Sequence, residues 1–375
     1  MKTRSAPHFH FNHTQITFRK NIQDKIKMVN KVISSGIFFN GKEVKKLIKN
    51  LLNFMDQEKY LVTTASGHDS LIIALSSLKL NSSDEVIFPV NAYPTVFPIF
   101  MSGVKPVPVD VDENGQIDIL NLEKSITNHT KAIVIVHLYG LTCDVNKVKE
   151  IIKKRNITLI EDAAQAFGTI YKDKHVGTLG DIGCFSFYPT KNLATVGDGG
   201  ALWTRDKKLY EYFLQVKSYG EKERYYSLSI SGHSRIPEIQ AGILNLYFKR
   251  IKKDFKKRKE KATYYHKSII QKNLSPYIRV LQSDPRSSPV RHLFVVEAKE
   301  RNSLKKYLAK KKIETHIHYP YPIHLVPAFS YLGYKNGDFP IAERLSRNII
   351  SLPFHPFLAK KEIDYIIKSI KNHYG

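Results

Sequence analysis

The stretch FYPTKNLATVGDGGAL (187–202) places a lysine just after an apolar run and just before a glycine-dense turn. Most lysines in so basic a chain are solvated loop or helix residues. Lys191, however, follows CFSFYPT, and a second apolar run, TLIEDAAQAFG, delivers Asp162 where it ends, with Gln165 three residues later. Ligands of open parallel sheets bind outside the carboxyl ends of the strands. An amine and a carboxylate from neighbouring strand ends suit a ligand that carries both an aldehyde and a ring nitrogen. The amine attacks the carbonyl carbon, and the carboxylate keeps the ring nitrogen protonated so that the ring withdraws electrons. A strand-end aspartate by itself is more often a helix cap, so the inference rests on the pair.

Pyridoxal phosphate (PLP) is a ligand of this kind, and it asks for two more things: donors for its phosphate and an aromatic side chain on its ring face. TTASGHDSLIIAL (63–75) sets small and polar residues directly before an apolar helix, so the backbone N–H groups around Gly67, His68 and Asp69 form a candidate anion site. The same stretch also reads as an ordinary N-cap by Ser66 or Asp69. Ser186 offers a hydroxyl to the phosphate, and Tyr93, shortly after Val90, offers a ring to stack. Gly197, Gly199 and Gly200 allow a tight return of the chain into the next strand.

These residues must be held by a sheet. Short β-rich runs at 84–90, 105–111, 131–140, 156–164, 181–187 and 200–204 alternate with amphipathic helical patterns such as 70–80 and 145–156. Several of the runs are nearly continuous in apolar residues, as in strands buried on both faces, which predicts an α/β domain with a mostly parallel sheet. After about residue 245 the texture changes to a long basic helix, strand-like segments at 290–298 and 313–320, and terminal helices. The predicted division is a large α/β domain over 1–245, including the N-terminal segment, and a small α+β domain over 246–375. VIFPVNAYPTVFPIFMSGV (86–104) has the length of a membrane span, but Pro89, Pro94 and Pro98 point to a strand, a loop and a short helix.

Lys and Arg number 59 against 34 Asp and Glu, a formal net charge of +25. That excess invites a nucleic-acid reading. Lys, Ile and Asn are abundant throughout the chain, however, so composition accounts for the charge, and no nucleic-acid motif accompanies it. The densest run, KRIKKDFKKRKEK (249–261), reads as the solvated face of a helix, with a membrane-surface or polyanion role as the alternative. Two isolated cysteines, Cys143 and Cys184, speak against a disulfide framework or a zinc site and fit a reducing cytoplasm. The N-terminal twenty residues hold no apolar core of a signal peptide.

Taken together, EDAAQAFG, FSFYPTKNL with GDGGAL, VHLYG, SGHSRIPEIQAGIL, HYPYPIHLVPAF and SLPFHP resemble the DegT/StrS family of PLP-dependent sugar aminotransferases, from about residue 34 to the C-terminus. The resemblance implies a fold-type I transferase with a mostly parallel, mixed seven-stranded sheet. It implies that Lys191 bonds covalently to the cofactor and shuttles the proton, that Asp162 meets the pyridine nitrogen, and that Gln165 meets the ring hydroxyl. Tyr93 matches the stacking aromatic, Ser186 the phosphate hydroxyl, and Gly67 with His68 the phosphate-binding turn. The sequence departs from the family at two phosphate donors: His68 stands where many members have threonine, and His233 where many have an asparagine supplied by the partner subunit.

A homodimer with a shared active site is implied, with L-glutamate as amino donor and a nucleotide-linked keto-hexose as acceptor. The product would be an amino sugar, most often for a bacterial surface glycan such as lipopolysaccharide. Arg235, in the interface segment, is a candidate basic group for the dianionic sugar nucleotide, and His318, Tyr319 and His324 match a family loop near the substrate, whereas His137, at a strand end, reads as structural. The family's dehydratase branch carries histidine at the lysine position, so Lys191 points away from it. Two rival readings are a PLP-dependent lyase acting on a similar deoxysugar and a non-enzymatic polyanion-binding protein on the same fold. The leading reading expects no nucleic-acid partner, no transmembrane segment and a cytoplasmic location.

Overall fold

Alternate residues of the apolar runs face two different cores, as the pleat requires of strands covered on both sides. Ile133 and Ile135 enter one core, while Ala132, Val134 and Val136 enter the other. The structure is a computed structural model and describes residues 11, 14–58 and 60–375. Its main sheet comprises β1 (Leu61–Thr64), β2 (Glu85–Pro89), β3 (Lys105–Val109), β4 (Thr130–Val136), β5 (Thr158–Asp162), β6 (Ile182–Ser186) and β7 (Gly200–Thr204). The strand order is β1-β7-β6-β5-β4-β2-β3. Only β7 runs against the others, pairing antiparallel with both β1 and β6. The sheet is therefore mixed and mostly parallel, as the sequence predicts. The carboxyl ends of six strands and the start of β7 share one edge.

Around this sheet pack helices that include α1 (Lys42–Phe54), α2 (Gly67–Ser76), α3 (Tyr93–Met101) and α4 (Glu238–Phe248). The stretch over 86–104 is strand β2 followed by helix α3, and among the described residues no helix is long and apolar enough to cross a membrane. The expectation for the N-terminal twenty residues falls largely on 1–10, 12 and 13, which lie outside the described residues.

Helix α5 (Ile251–Gln271), with α6 (Arg301–Lys310) and α7 (Lys360–Tyr374), covers a second, antiparallel sheet of β8 (Ile278–Val280), β9 (Phe294–Ala298) and β10 (Ile349–Leu352). A third core lies there, built around Tyr265, Phe294, Leu304, Ile350 and Ile366. Two expectations change. Residues 313–320 form no strand; Ile313 and His316 make isolated bridges, His316 with Ser351, and the segment then runs to the main-sheet edge, where Tyr319 meets Gln165. The basic run at 249–261 is helical, but it is not solvated throughout. Ile251, Phe255 and Arg258 are buried, and Arg258 donates from Nη1 to the Arg291 carbonyl at 3.2 Å.

Candidate active site

Each strand of the mostly parallel sheet delivers its chemistry where it ends. The register sets Asp162 beside Cys184 and sets both Thr64 and Ser186 beside Gly200, so the ends of β1, β5 and β6 lie close together at one edge. Gly200 is needed for this approach. A Cβ there would lie 2.3 Å from the Ser66 carbonyl oxygen.

The start of α2 forms a cradle. Ser66 caps the helix, its Oγ accepting from the Asp69 N–H at 3.0 Å. Of the three N–H groups expected to bind an anion, Asp69's is thus already used, and those of Gly67 and His68 remain at the helix start, where no intrahelical acceptor reaches them. A Cβ on Gly67 would sit 2.6 Å from the Ser186 Cβ, so the glycine lets the Ser186 side chain stand against the first turn. A hydroxyl, two N–H groups and a helix dipole fit a phosphate. Ser234 braces the cradle: its Oγ accepts from Ala65 N and donates to Asp69 Oδ2, both at 2.8 Å.

Asp162 is buried, 5% exposed, with each carboxylate oxygen held. Thr95 Oγ1 donates to Oδ2 at 2.7 Å, and Ala164 N donates to Oδ1 at 3.0 Å. Thr95 was missed by the sequence reading. The available signal was its place two residues after Tyr93, in the first turn of α3. Gln165 is oriented from both ends: Oε1 accepts from Tyr139 N at 2.7 Å, and Nε2 donates to the Tyr319 hydroxyl at 3.3 Å, leaving one amide hydrogen for a ring oxygen. The Tyr93 ring is 6.0 Å from that of Tyr319. Burial and the nearby Asp162 push the Tyr319 phenol up to about 12, so it stays protonated at neutral pH.

Lys191 ends the turn that follows β6, its N–H donating to Tyr188 O at 2.9 Å. Burial pulls its amine down to about 8, against the opposing charge of Asp162. The neutral, nucleophilic form of the amine is therefore within reach near neutral pH, as it is not for an ordinary lysine. The charge of Lys191 is also felt by His318. Burial, then His316, then Lys191 lower the His318 imidazole to about 4, so it is a neutral hydrogen-bonding group rather than a cation. Its Nδ1 is 2.9 Å from Ser351 Oγ.

Lys191, Asp162, Gln165, Tyr93, Tyr319 and His318 are thus linked through contacts and charges, with Gly67 and Ser186 beside them. Other expected residues are placed differently. His324 is buried at 3% exposure, its Nε2 3.0 Å from Glu343 and its ring against Phe339, so it packs into the core instead of presenting a free imidazole. His68 and His233 are exposed, and the His233 ring meets Tyr219 edge-on at 5.2 Å. Arg235 is half-buried over the Phe39 ring, its Nε without a hydrogen-bond partner. His137 is fully buried with Nε2 2.8 Å from Glu161, whose other bonds come from the N–H groups of Gly177, Leu179 and Gly180. Burial opposes ionisation of Glu161, but His137 and these backbone donors outweigh it and hold the carboxyl below its usual range.

A mixed seven-stranded sheet with a lysine and a carboxylate at its carboxyl edge is the fold-type I arrangement of PLP-dependent transferases. The description DegT/DnrJ/EryC1/StrS aminotransferase family matches residues 19–371, and the chain belongs to that family. It is 38% identical over 371 residues to the dTDP-3-amino-3,6-dideoxy-alpha-D-galactopyranose transaminase of Aneurinibacillus thermoaerophilus, covering 98% of this chain and 99% of that one. It is 33% identical to the UDP-2-acetamido-2-deoxy-3-oxo-D-glucuronate aminotransferase of Pseudomonas aeruginosa, covering 94% and 96%. The solved structure of S. venezuelae DesV in complex with a ketimine intermediate superposes with a TM-score of 0.93 at 31% identity, covering 98% of each chain.

Proposed function

We propose that this aminotransferase uses PLP to move the amino group of L-glutamate to a keto carbon of a nucleotide-linked hexose. The observation that carries the reading is the buried Asp162 carboxylate, fixed by Thr95 and Ala164, acting on the charge of a Lys191 amine that burial has made partly neutral. When bound, PLP supplies the electron-withdrawing ring that lets a proton leave the donor's α-carbon. The residues do the rest. Asp162 holds the pyridinium proton, and Gln165 Nε2 holds the ring oxygen. Tyr93 covers the ring face, while Ser186 and the Gly67 and His68 N–H groups hold the phosphate. Lys191 Nζ would hold the cofactor through its aldehyde carbon and, once freed by the donor amine, would be the base that takes the α-proton and returns it one carbon away. Water would supply the keto oxygen as glutamate leaves as 2-oxoglutarate, and the reverse sequence on the keto sugar would release that water and leave the amino sugar.

Ring position 3 of a dTDP-linked 6-deoxyhexose is the acceptor to try first, because a relative matched over 98% of this chain is named for it. Tyr319, neutral His318 and Arg235 are the proposed sugar-nucleotide contacts, Arg235 supplying the positive charge for the diphosphate. His324 drops out of this set, since its imidazole is engaged by Glu343.

The catalytic unit is a cytoplasmic homodimer. Ile37, Phe38 and Phe39 are about half exposed, and Tyr225, Leu228 and Ile230 are more so. The Phe39–Pro237 bridge ties the first stretch to the segment that carries His233 and Arg235. Apolar surface of this extent beside the phosphate cradle favours burial against a second copy, which would bring His233 to the partner's site.

The test is stoichiometry. One 2-oxoglutarate should form per amino sugar, with ping-pong kinetics. Product formed without loss of glutamate would sink the reading.

A further inference from the structure

Arg291 is 6% exposed and, among the described residues, has no carboxylate partner. Its Nη2 donates to Leu281 O at 2.6 Å, its guanidinium lies 5.4 Å over the Phe294 ring, and its Nη1 has no hydrogen-bond partner. A buried cation left so is costly unless something else satisfies it. Burial alone pulls it down to about 10, still charged at neutral pH.

Arg291 lines a groove of about 370 Å³ between α5 and the 282–291 segment. Lys259, Thr263, His266 and Lys267 fall at intervals of three and four along α5 and so form one face of that helix, which makes a wall of the groove. Ser288, opposite, accepts from Lys259 Nζ at 2.6 Å. No carboxylate lines the groove. Asp284, close in sequence, is turned to Arg286, which holds both of its oxygens. Burial, and then the charge of Arg291, lowers the His266 imidazole. The groove is thus a set of donors and positive charges without a counter-charge.

We propose that this groove binds a small phosphorylated anion, with Lys259, Lys267 and Arg291 as the charge and Thr263 and Ser288 as hydroxyl donors. The volume fits a nucleotide-sized or smaller molecule, and a largely buried arginine in its lining favours a compact phosphate end over a nucleic-acid backbone lying across the surface. The position is independent of the amino-transfer reading. It is nonetheless next to the candidate active site: Val290 accepts from Asn192 Nδ2 at 2.8 Å, and His292 lines a separate cavity with Thr190 and His318.

The full-length protein, saturated with PLP so that the cradle at Gly67 is filled, is titrated calorimetrically with inorganic pyrophosphate and separately with ADP. Wild type is compared with the Lys259→Gln/Lys267→Gln double variant. Both lysines are at the surface edge of α5, and an unchanged thermal melt verifies the fold. Arg291→Gln is run alongside. The expected result is a site on each chain that the double variant weakens about tenfold or more, as the loss of charged hydrogen bonds predicts. ADP binding well above pyrophosphate would make the natural ligand a nucleotide, and equal binding would make it a phosphate or diphosphate group alone. Superimposable isotherms for wild type and double variant, no heat with either anion, or binding confined to a single-stranded oligonucleotide would each overturn the proposal.

Discussion

Lys191 and Asp162 act on each other before any substrate arrives. Replacing Lys191 with alanine should lower turnover by about 10²–10⁴-fold or more, as expected when a group that moves the proton is lost. Circular dichroism should show the fold unchanged, since the variant removes a desolvated amine and leaves Asp162 its bonds from Thr95 and Ala164. The pH dependence has a defined sign. Burial lowers the Lys191 amine to about 8, and the neutral form is the one that attacks an aldehyde. The rate at which cofactor-free protein develops the visible PLP band should therefore rise with pH and level off above about 8. Asp162 is the group that raises that value, so Asp162→Asn should move the inflection to lower pH while reducing turnover. Thr95→Val removes one donor to a buried carboxylate, a loss on the order of 1.5–3 kcal/mol for a bond to a charged group. The expected reading is kcat down about tenfold or more with the KM for glutamate nearly unchanged, and a larger change in KM than in kcat would contradict the assignment.

The cradle belongs to two elements, the start of α2 and the end of β6. Gly67→Ala places a methyl 2.6 Å from Ser186 Cβ, so PLP affinity should fall at least about tenfold by spectral titration, and the same substitution should cost less when introduced into a Ser186→Gly protein. An equal cost in both backgrounds would show that the contact with Ser186 is not the cause. Elements like these were legible because their signals are local. The apolar runs at 181–187 and 200–204 appear as β6 and β7, and the small polar residues before the 67–76 helix are its cap and first turn. Thr95, Tyr139 and Ser234 were not legible in the same way. Their roles are bonds across 67, 26 and 165 residues, to Asp162, Gln165 and Asp69, set by how strands are ordered in the sheet and not by any neighbour in the chain. The depth of Arg258 was hidden for a related reason. In a run of lysines and arginines nothing local says which one turns inward, and only the packing of α5 against the second sheet decides it.

At the scale of the whole molecule, the exposed Ile37–Phe39 and Tyr225–Ile230 surfaces should be covered in solution. Light scattering should give twice the 43.1 kDa chain mass, and Ile230→Asp should shift it toward the monomer with loss of turnover. A monomeric wild type that is fully active would contradict the shared-site reading. The net charge of +25 is spread over the chain, as composition suggested, but the groove lined by Arg291 shows that part of it is concentrated where, among the described residues, no carboxylate answers it. The central claim is that Lys191, Asp162 and the Gly67–Ser186 cradle form one PLP site that takes an amino group from glutamate. The most direct test is the absorbance spectrum of the purified protein with PLP, before and after L-glutamate. The account predicts a visible band that is absent in Lys191→Ala and that gives way to near-ultraviolet absorbance when glutamate is added. A protein that develops no visible band at excess PLP, or a band that glutamate leaves untouched, would contradict it.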